Sequence, residues 1–216
     1  MRSLTHRDLL VLRTRSVGCI AAFAVALLAA GSNAPAAGAA YDNMYKTRNA
    51  NWDCFDGTAD FGLFCQTDGR RLSWFEQRSI TNKGRRSIRR VLEASFEATN
   101  LRVSRDRQPK YRGARETDII YQEGSLPSGV LGQTWCNDRI SDRRCDQHYV
   151  RSRSSSPGRK VICHESGHAV GLTHGQDAYP RRRNGLDSLG CMQTPVGQIQ
   201  SYLLGKHNKR AINRTY

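Results

Sequence analysis

The stretch HESGHAVGLTH, residues 164–174, holds three of the chain's six histidines, at spacings of four and six. Glu165 stands beside the first, and Gly171 lies three residues after the second. On a helix over residues 157–170, His164 and His168 lie one turn apart on the same face, so both imidazoles can bind one ion at about 2.0–2.1 Å. Glu165 projects to the side of that pair, within reach of water and free of ligation. Gly171 suits a helix end because it takes left-handed dihedrals without steric cost. The chain can then reverse and bring His174 in as a third ligand. Three protein ligands leave the fourth tetrahedral position of a zinc ion to water, whose pKa the metal lowers toward 7. Glu165 is then the expected base. With this chain's own frequencies of His, Glu and Gly, the pattern arises by chance about once in 10⁵ such chains.

Outward from the motif, the polar break RSRSSSPGR (151–159) offers Ser156 as a helix cap and Pro157 as the first helical residue. Farther upstream, Ile88, Val91, Leu92, Ser95 and Phe96 recur at i, i+3, i+4, i+7 and i+8, which predicts an amphipathic helix over 81–98. Strands are expected at RLSWFEQR (71–78), LRVSR (101–105), TDIIYQ (117–122), GVLGQTWC (129–136) and QHYVRS (147–152). At the far end, HNKRAINRTY (207–216) predicts a closing helix capped by Asn208, with Ala211 and Ile212 inward. This order of elements is that of an α/β layer, helices packed on a mixed sheet. His148 and His207 are expected to be structural.

The N-terminus reads as a secretory signal. Arg2, Arg7, Arg13 and Arg15 precede the apolar run GCIAAFAVALLAA, and a small-residue tail places cleavage near Ala40. The run is too short to span a bilayer as an anchor, and no later segment is long and apolar enough. Export leaves Cys54, Cys65, Cys136, Cys145, Cys163 and Cys191, an even set that implies disulfides. Six cysteines allow fifteen pairings; proximity favours Cys54–Cys65 and Cys136–Cys145, but sequence alone does not choose. The net charge of +15 falls to +12 once the four arginines and one aspartate of the signal are removed. The basic residues are scattered and not interleaved with aromatics, so nucleic acid is not expected as the main partner. Weak binding to anionic surfaces is compatible with the charge. Asn213 begins N-R-T, an acceptor only in a eukaryotic secretory pathway.

HESGHAVGLTH resembles the extended zinc signature of the metzincin metalloproteases at every defined position, and LGCMQTP places Met192 where the family has a methionine-containing turn. The likeness is closest to matrixins and to secreted actinobacterial metzincins. Thr194 stands where astacin-like and serralysin-like members carry a tyrosine. The resemblance implies His164, His168 and His174 as ligands of one catalytic zinc, Glu165 as catalytic base and Met192 packed under the metal. It implies a five-stranded mixed sheet with two long helices and a small C-terminal subdomain, the GVLGQTWC strand lying antiparallel at the cleft and a protein or peptide substrate beside it. The catalytic domain would occupy 71–216, behind a signal at 1–40 and a disulfide-closed arm at 41–70. With the turn under the zinc, Cys163 and Cys191 come together as a pair stapling helix to turn. About 30 residues before the first strand leave little room for an inhibitory propeptide. Two rivals share these residues: a cationic extracellular binding protein with a non-catalytic zinc site, and a zinc amidase acting on cell-wall peptides.

Overall fold

IIYQE, the core of β4 (Ile119–Glu123), is buried on both faces at Ile119, Ile120 and Tyr121, as a central parallel strand requires. The structure is a computed structural model describing residues 40–59, 63–113, 115–196 and 201–216. The expected signal therefore lies, except for Ala40, outside the described residues. Residues Ala40–Tyr216 form one compact unit.

The other strands are β1 (Gln66–Thr67), β2 (Arg71–Glu76), β3 (Arg102–Arg105), β5 (Gly132–Arg139) and β6 (Arg144–Ser152). They order as β3-β2-β4-β6-β5, parallel except for β5, which runs antiparallel along β6. Among the described residues the sheet has six strands where five were expected. The additional one is β1, two residues too short to show an alternating pattern, which pairs parallel with the start of β6. The hairpin joining β5 and β6 is closed by the Cys136–Cys145 disulfide.

Helix α1 (Asn82–Val91) runs on as a π-helical turn over Leu92–Phe96. Thr81 caps it, its Oγ1 accepting from Gly84 N at 3.2 Å. Ile88, Val91, Leu92 and Phe96 are all buried beneath it. Each such side chain stabilises the fold by roughly 1.5–3 kcal/mol relative to exposure, an upper bound given a compact unfolded state.

Helix α2 (Arg159–Ala169) begins two residues later than the cap expected at Ser156 requires, with extended Gly158 as its N-cap. The cause is a tertiary contact. Ser156 Oγ is engaged by Thr81 Oγ1 at 2.5 Å, and Thr81 N donates to Ser155 O at 2.9 Å. The segment is thus pinned to the start of α1. Only a glycine fits at position 84, since a Cβ there would lie 2.7 Å from Ser155 O.

After α2 come two 3-10 turns, Gly175–Asp177 and Asp187–Met192, and then α3 (Lys206–Thr215). Ala211 and Ile212 face inward, but the cap of α3 is Gly205 and not Asn208. Asn208 is fully buried inside the helix, where burial makes its amide more useful as a tertiary link. Its Nδ2 donates to Leu189 O at 2.7 Å, and its Oδ1 accepts from Asn43 Nδ2 at 3.1 Å. Among the described residues no helix is long and apolar enough to cross a membrane.

Candidate metal centre

Helical phase brings His164 and His168 onto one face of α2, and a Schellman motif delivers the third histidine. Gly171, at φ 90°, donates its N–H to His168 O at 2.8 Å, and Leu172 N donates to Gly167 O at 2.8 Å. The reversed chain is then held by the N-terminal segment. Tyr45 N donates to Gly171 O, and Thr173 N donates to Asn43 O, both at 2.7 Å. His174 follows directly.

The three Nε2 atoms stand 3.1–3.2 Å from one another. The opposite nitrogens fix the tautomers of two rings. His164 Nδ1 donates to Cys191 O and His168 Nδ1 to Leu172 O, each at 2.8 Å. With the protons on Nδ1, the Nε2 atoms of both rings carry lone pairs that face each other and His174. Neutral imidazoles in that array repel, and no hydrogen bond relieves the His164–His168 contact. A tetrahedral cation with bonds of about 2.0–2.1 Å sets nitrogens about 3.3–3.4 Å apart, so the donor set fits zinc. Burial pushes His164 down to about 3 and His174 down to about 4, and holds His168 well below its usual range, with the neighbouring imidazoles adding to the shift at His164 and His168. All three are therefore neutral, as ligands must be.

Glu165 is 4% exposed, and burial raises its carboxyl to about 7 against the lowering effect of a hydrogen bond from Thr134. Thr134 Oγ1 lies 2.8 Å from Glu165 Oε2 and 2.9 Å from Glu165 O. Gly132 leaves the carboxylate its space, since a Cβ there would fall 2.7 Å from Glu165 Cγ. Glycine and threonine sit two apart on β5, and that period-two spacing was the available signal for them. Phe64, stacked on His168 with centroids 4.2 Å apart, had none. Together these residues line a cleft of about 570 Å³ that runs from residues 129–134 past the three histidines to Thr194, Pro195 and Val196.

Met192 is fully buried against α2, where a Cβ on Gly167 would lie 2.3 Å from its Sδ. Cys163 and Cys191 form a disulfide with Cα atoms 5.9 Å apart. It joins the residue before His164 to the residue whose carbonyl orients His164. Cys54–Cys65 and Cys136–Cys145 lie together in a separate small core with Tyr45 and Ala50. His148 is buried in β6 outside the cleft and accepts weakly from Cys65 N at 3.4 Å. His207 stacks on Tyr41 at 3.8 Å.

No family model matches the chain, and no curated protein matches it in sequence. Among solved structures, it is similar to High choriolytic enzyme 1, a hatching enzyme zinc-protease from Oryzias latipes (Medaka fish), with a TM-score of 0.36 and 16% identity. The match covers 62% of this chain and 56% of that one, so the chain spans little more than half of that enzyme's length. At that degree of superposition the functional argument rests on the site alone.

Proposed function

We propose that this chain is an exported zinc-dependent endopeptidase of metzincin type. The observation that carries the reading is the convergence of three Nε2 lone pairs, two fixed by carbonyl-bound Nδ1 protons, beside a buried carboxyl aimed into the same cleft. His164, His168 and His174 would hold the ion. Zinc, when bound, supplies a Lewis acid that acidifies water and polarises the scissile carbonyl.

The remaining chemistry belongs to the chain. Glu165 takes a proton from the water as its oxygen bonds to the carbonyl carbon. It returns that proton to the amide nitrogen as the C–N bond breaks, leaving a carboxylic acid and an amine. Thr134 orients the carboxylate through its 2.8 Å contact. Among the described residues β5 pairs as a strand with β6 alone; its outer edge is bonded to Gly57 and Leu63 at Cys136, while residues 132–134 and the preceding 129–131 border the cleft. An extended peptide can add along that strand by backbone hydrogen bonds, with side chains entering pockets at alternate positions. A cavity of about 510 Å³ adjoins the cleft through Leu131 and Val196 and is lined by Val161 and Tyr202. It suits an apolar substrate side chain. Met192 underlies the site, and 71–216 serves as catalytic domain with 41–70 as its arm. Export rests on the signal-like residues 1–40 and on three disulfides, which persist in oxidising compartments.

The test is hydrolysis of casein and a peptide library by the zinc-loaded protein, by the chelated protein and by Glu165→Ala. Activity lost in both treatments, with zinc still bound by the folded variant, is the expected result. Activity that survives Glu165→Ala overturns the mechanism. Cleavage of peptidoglycan peptides in place of proteins would favour the amidase, and no hydrolysis in any preparation the binding protein.

A further inference from the structure

A second convergence of like groups lies outside the cleft. Asp68 follows β1, Asp118 precedes β4 and Asp146 lies in β6, and one oxygen from each falls within 4.8 Å of the others. Two more carboxyls extend the group. Asp146 is repelled by Asp68 and Asp138, and Glu116 by Asp138 and Asp146. Asp138 sits at an irregularity of the β5–β6 ladder, where the register slips between Cys136 and Asp138 and again before Arg139. Bulges of this kind re-aim side chains and recur beside functional sites.

Among the described residues no cationic side chain neutralises this cluster, whose carboxyls meet one another in the pairs Asp68–Asp118 and Glu116–Asp138. The sequence has 34 basic residues against 19 acidic ones. Yet among the described residues no lysine or arginine nitrogen comes within 4.0 Å of any of the five carboxylates. Arg144 is at hand, but its Nη1 donates to the backbone carbonyl of Asp68 at 3.2 Å. Glu116 is 5% exposed, faces Asp138 and Asp146, and leaves Oε2 without a hydrogen-bond partner. A buried carboxylate oxygen left so is costly. Asp118 accepts from Ser73 N and Ser73 Oγ at 2.6 Å and from Thr67 Oγ1 at 3.2 Å, so its oxygens are held in place. Burial first, then neighbouring carboxyls, push Asp118 and Glu116 up to about 7.

We infer that Asp68, Asp118 and Asp146 hold a calcium ion, with Glu116 and Asp138 adding negative charge from the Asp146 side. The donors are all hard oxygens, the set that calcium takes and zinc does not prefer. Oxygens up to 4.8 Å apart fit opposite sides of an ion bonded at about 2.3–2.6 Å. The ion ties the end of β1 to the start of β4 and to β6. Thr67, beside Asp68, donates its N–H to Tyr216 Oη at 3.1 Å, and that hydroxyl donates to Val170 O at 3.0 Å. The cation therefore steadies the strand ends that abut the close of α2. This inference does not depend on the peptidase reading.

The experiment uses the full exported protein with one equivalent of zinc and no other divalent ion, as Glu165→Ala to prevent self-digestion. Calcium is titrated by calorimetry and by thermal unfolding. One calcium per chain is expected, with Kd on the order of 10⁻⁵–10⁻³ M. Tm should rise by roughly 5–10 °C at a hundredfold excess over Kd. Asp146→Asn should weaken binding at least tenfold, keep its zinc, and in calcium-free buffer melt above the parent because one repelling charge is gone. Terbium emission excited through Tyr216, whose phenol burial first and then the charges of Asp68 and Asp118 keep protonated, gives a reading on the unmutated site. Calcium should quench it by displacement. No calcium heat and no Tm shift at about 10 mM calcium, far above the Kd range of such sites, overturns the inference. So does an equal Tm rise in Asp146→Asn.

Discussion

At the end of α2 three imidazole nitrogens meet within 3.2 Å, and where β1, β4 and β6 come together three carboxylate oxygens meet within 4.8 Å. Both sets gather groups that repel unless a cation or a proton intervenes. The histidines come from eleven consecutive residues, so helix phase and one glycine turn assemble them. The carboxylates come from Asp68, Asp118 and Asp146, three segments that only the sheet topology makes neighbours. The histidines are surrounded by devices that aim them: Cys191 O, Leu172 O and the Gly171 reversal. Of the carboxylates, Asp118 is anchored by Ser73 and Thr67. A site built for geometry and a site built for charge differ in this way.

The largest separation between the two is expected from Glu165→Ala. Loss of the base should lower kcat/KM by about 10²–10⁴ or more, while zinc content and the calcium response stay as they were. A parallel loss of the calcium response would show that the two clusters are not independent.

Next in size is the double substitution Cys163→Ser, Cys191→Ser. The pair closes a loop of 28 residues' separation, for which about 3.5 kcal/mol of stability is expected. Because Cys191 O also orients His164, zinc affinity should fall, measured by competition with a chromophoric chelator. Removing Cys54–Cys65, which borders the centre through the neighbouring Phe64 and not through a ligand's hydrogen bond, should cost stability and lower zinc affinity less. Equal zinc loss in both variants would mean that the disulfides act only through global stability.

Thr134→Val comes third. It removes a hydroxyl 2.8 Å from Glu165 Oε2 and preserves shape. A fall in kcat of about tenfold, from roughly 1–1.5 kcal/mol of lost hydrogen bonding, is expected with KM little changed. A purely structural hydroxyl would lower Tm and spare kcat.

What the sequence discloses follows the same division. The helix under α1's apolar stripe, the five longer strands and the histidine pattern all rest on local periodicity, and each is present in the fold. Local rules failed where a distant residue intervened. Ser156 was a credible cap until Thr81 took its hydroxyl, and Asn208 until Leu189 and Asn43 claimed its amide. Strand β1 is too short for any pattern, and Phe64 reaches His168 only through tertiary packing. The acidic cluster had no recognisable sequence signal, since Asp68, Asp118 and Asp146 come from three short segments far apart in the chain, TDGR, ETDI and CDQH.

The smallest predicted effect concerns His148, which lies on β6 two residues from Asp146. Burial lowers it to about 3, so the folded state keeps it neutral while the unfolded chain protonates it near 6.5. Its contribution is present above pH 6.5 and is lost as pH falls toward 3. Asp118 and Glu116 run the other way. Their carboxyls are raised to about 7, so their contribution is present at low pH and is lost as pH rises through 7. In calcium-free buffer the two trends oppose each other between about pH 4.5 and 6.5. His148→Asn removes one of them. Its stability, from urea unfolding, should fall more steeply with rising pH than that of the wild type, by about 1.4 kcal/mol per pH unit. Saturating calcium, which holds the carboxylates ionised, should flatten the carboxylate part in both proteins and leave the His148 difference intact. If calcium erases that difference as well, His148 titrates as part of the carboxylate cluster.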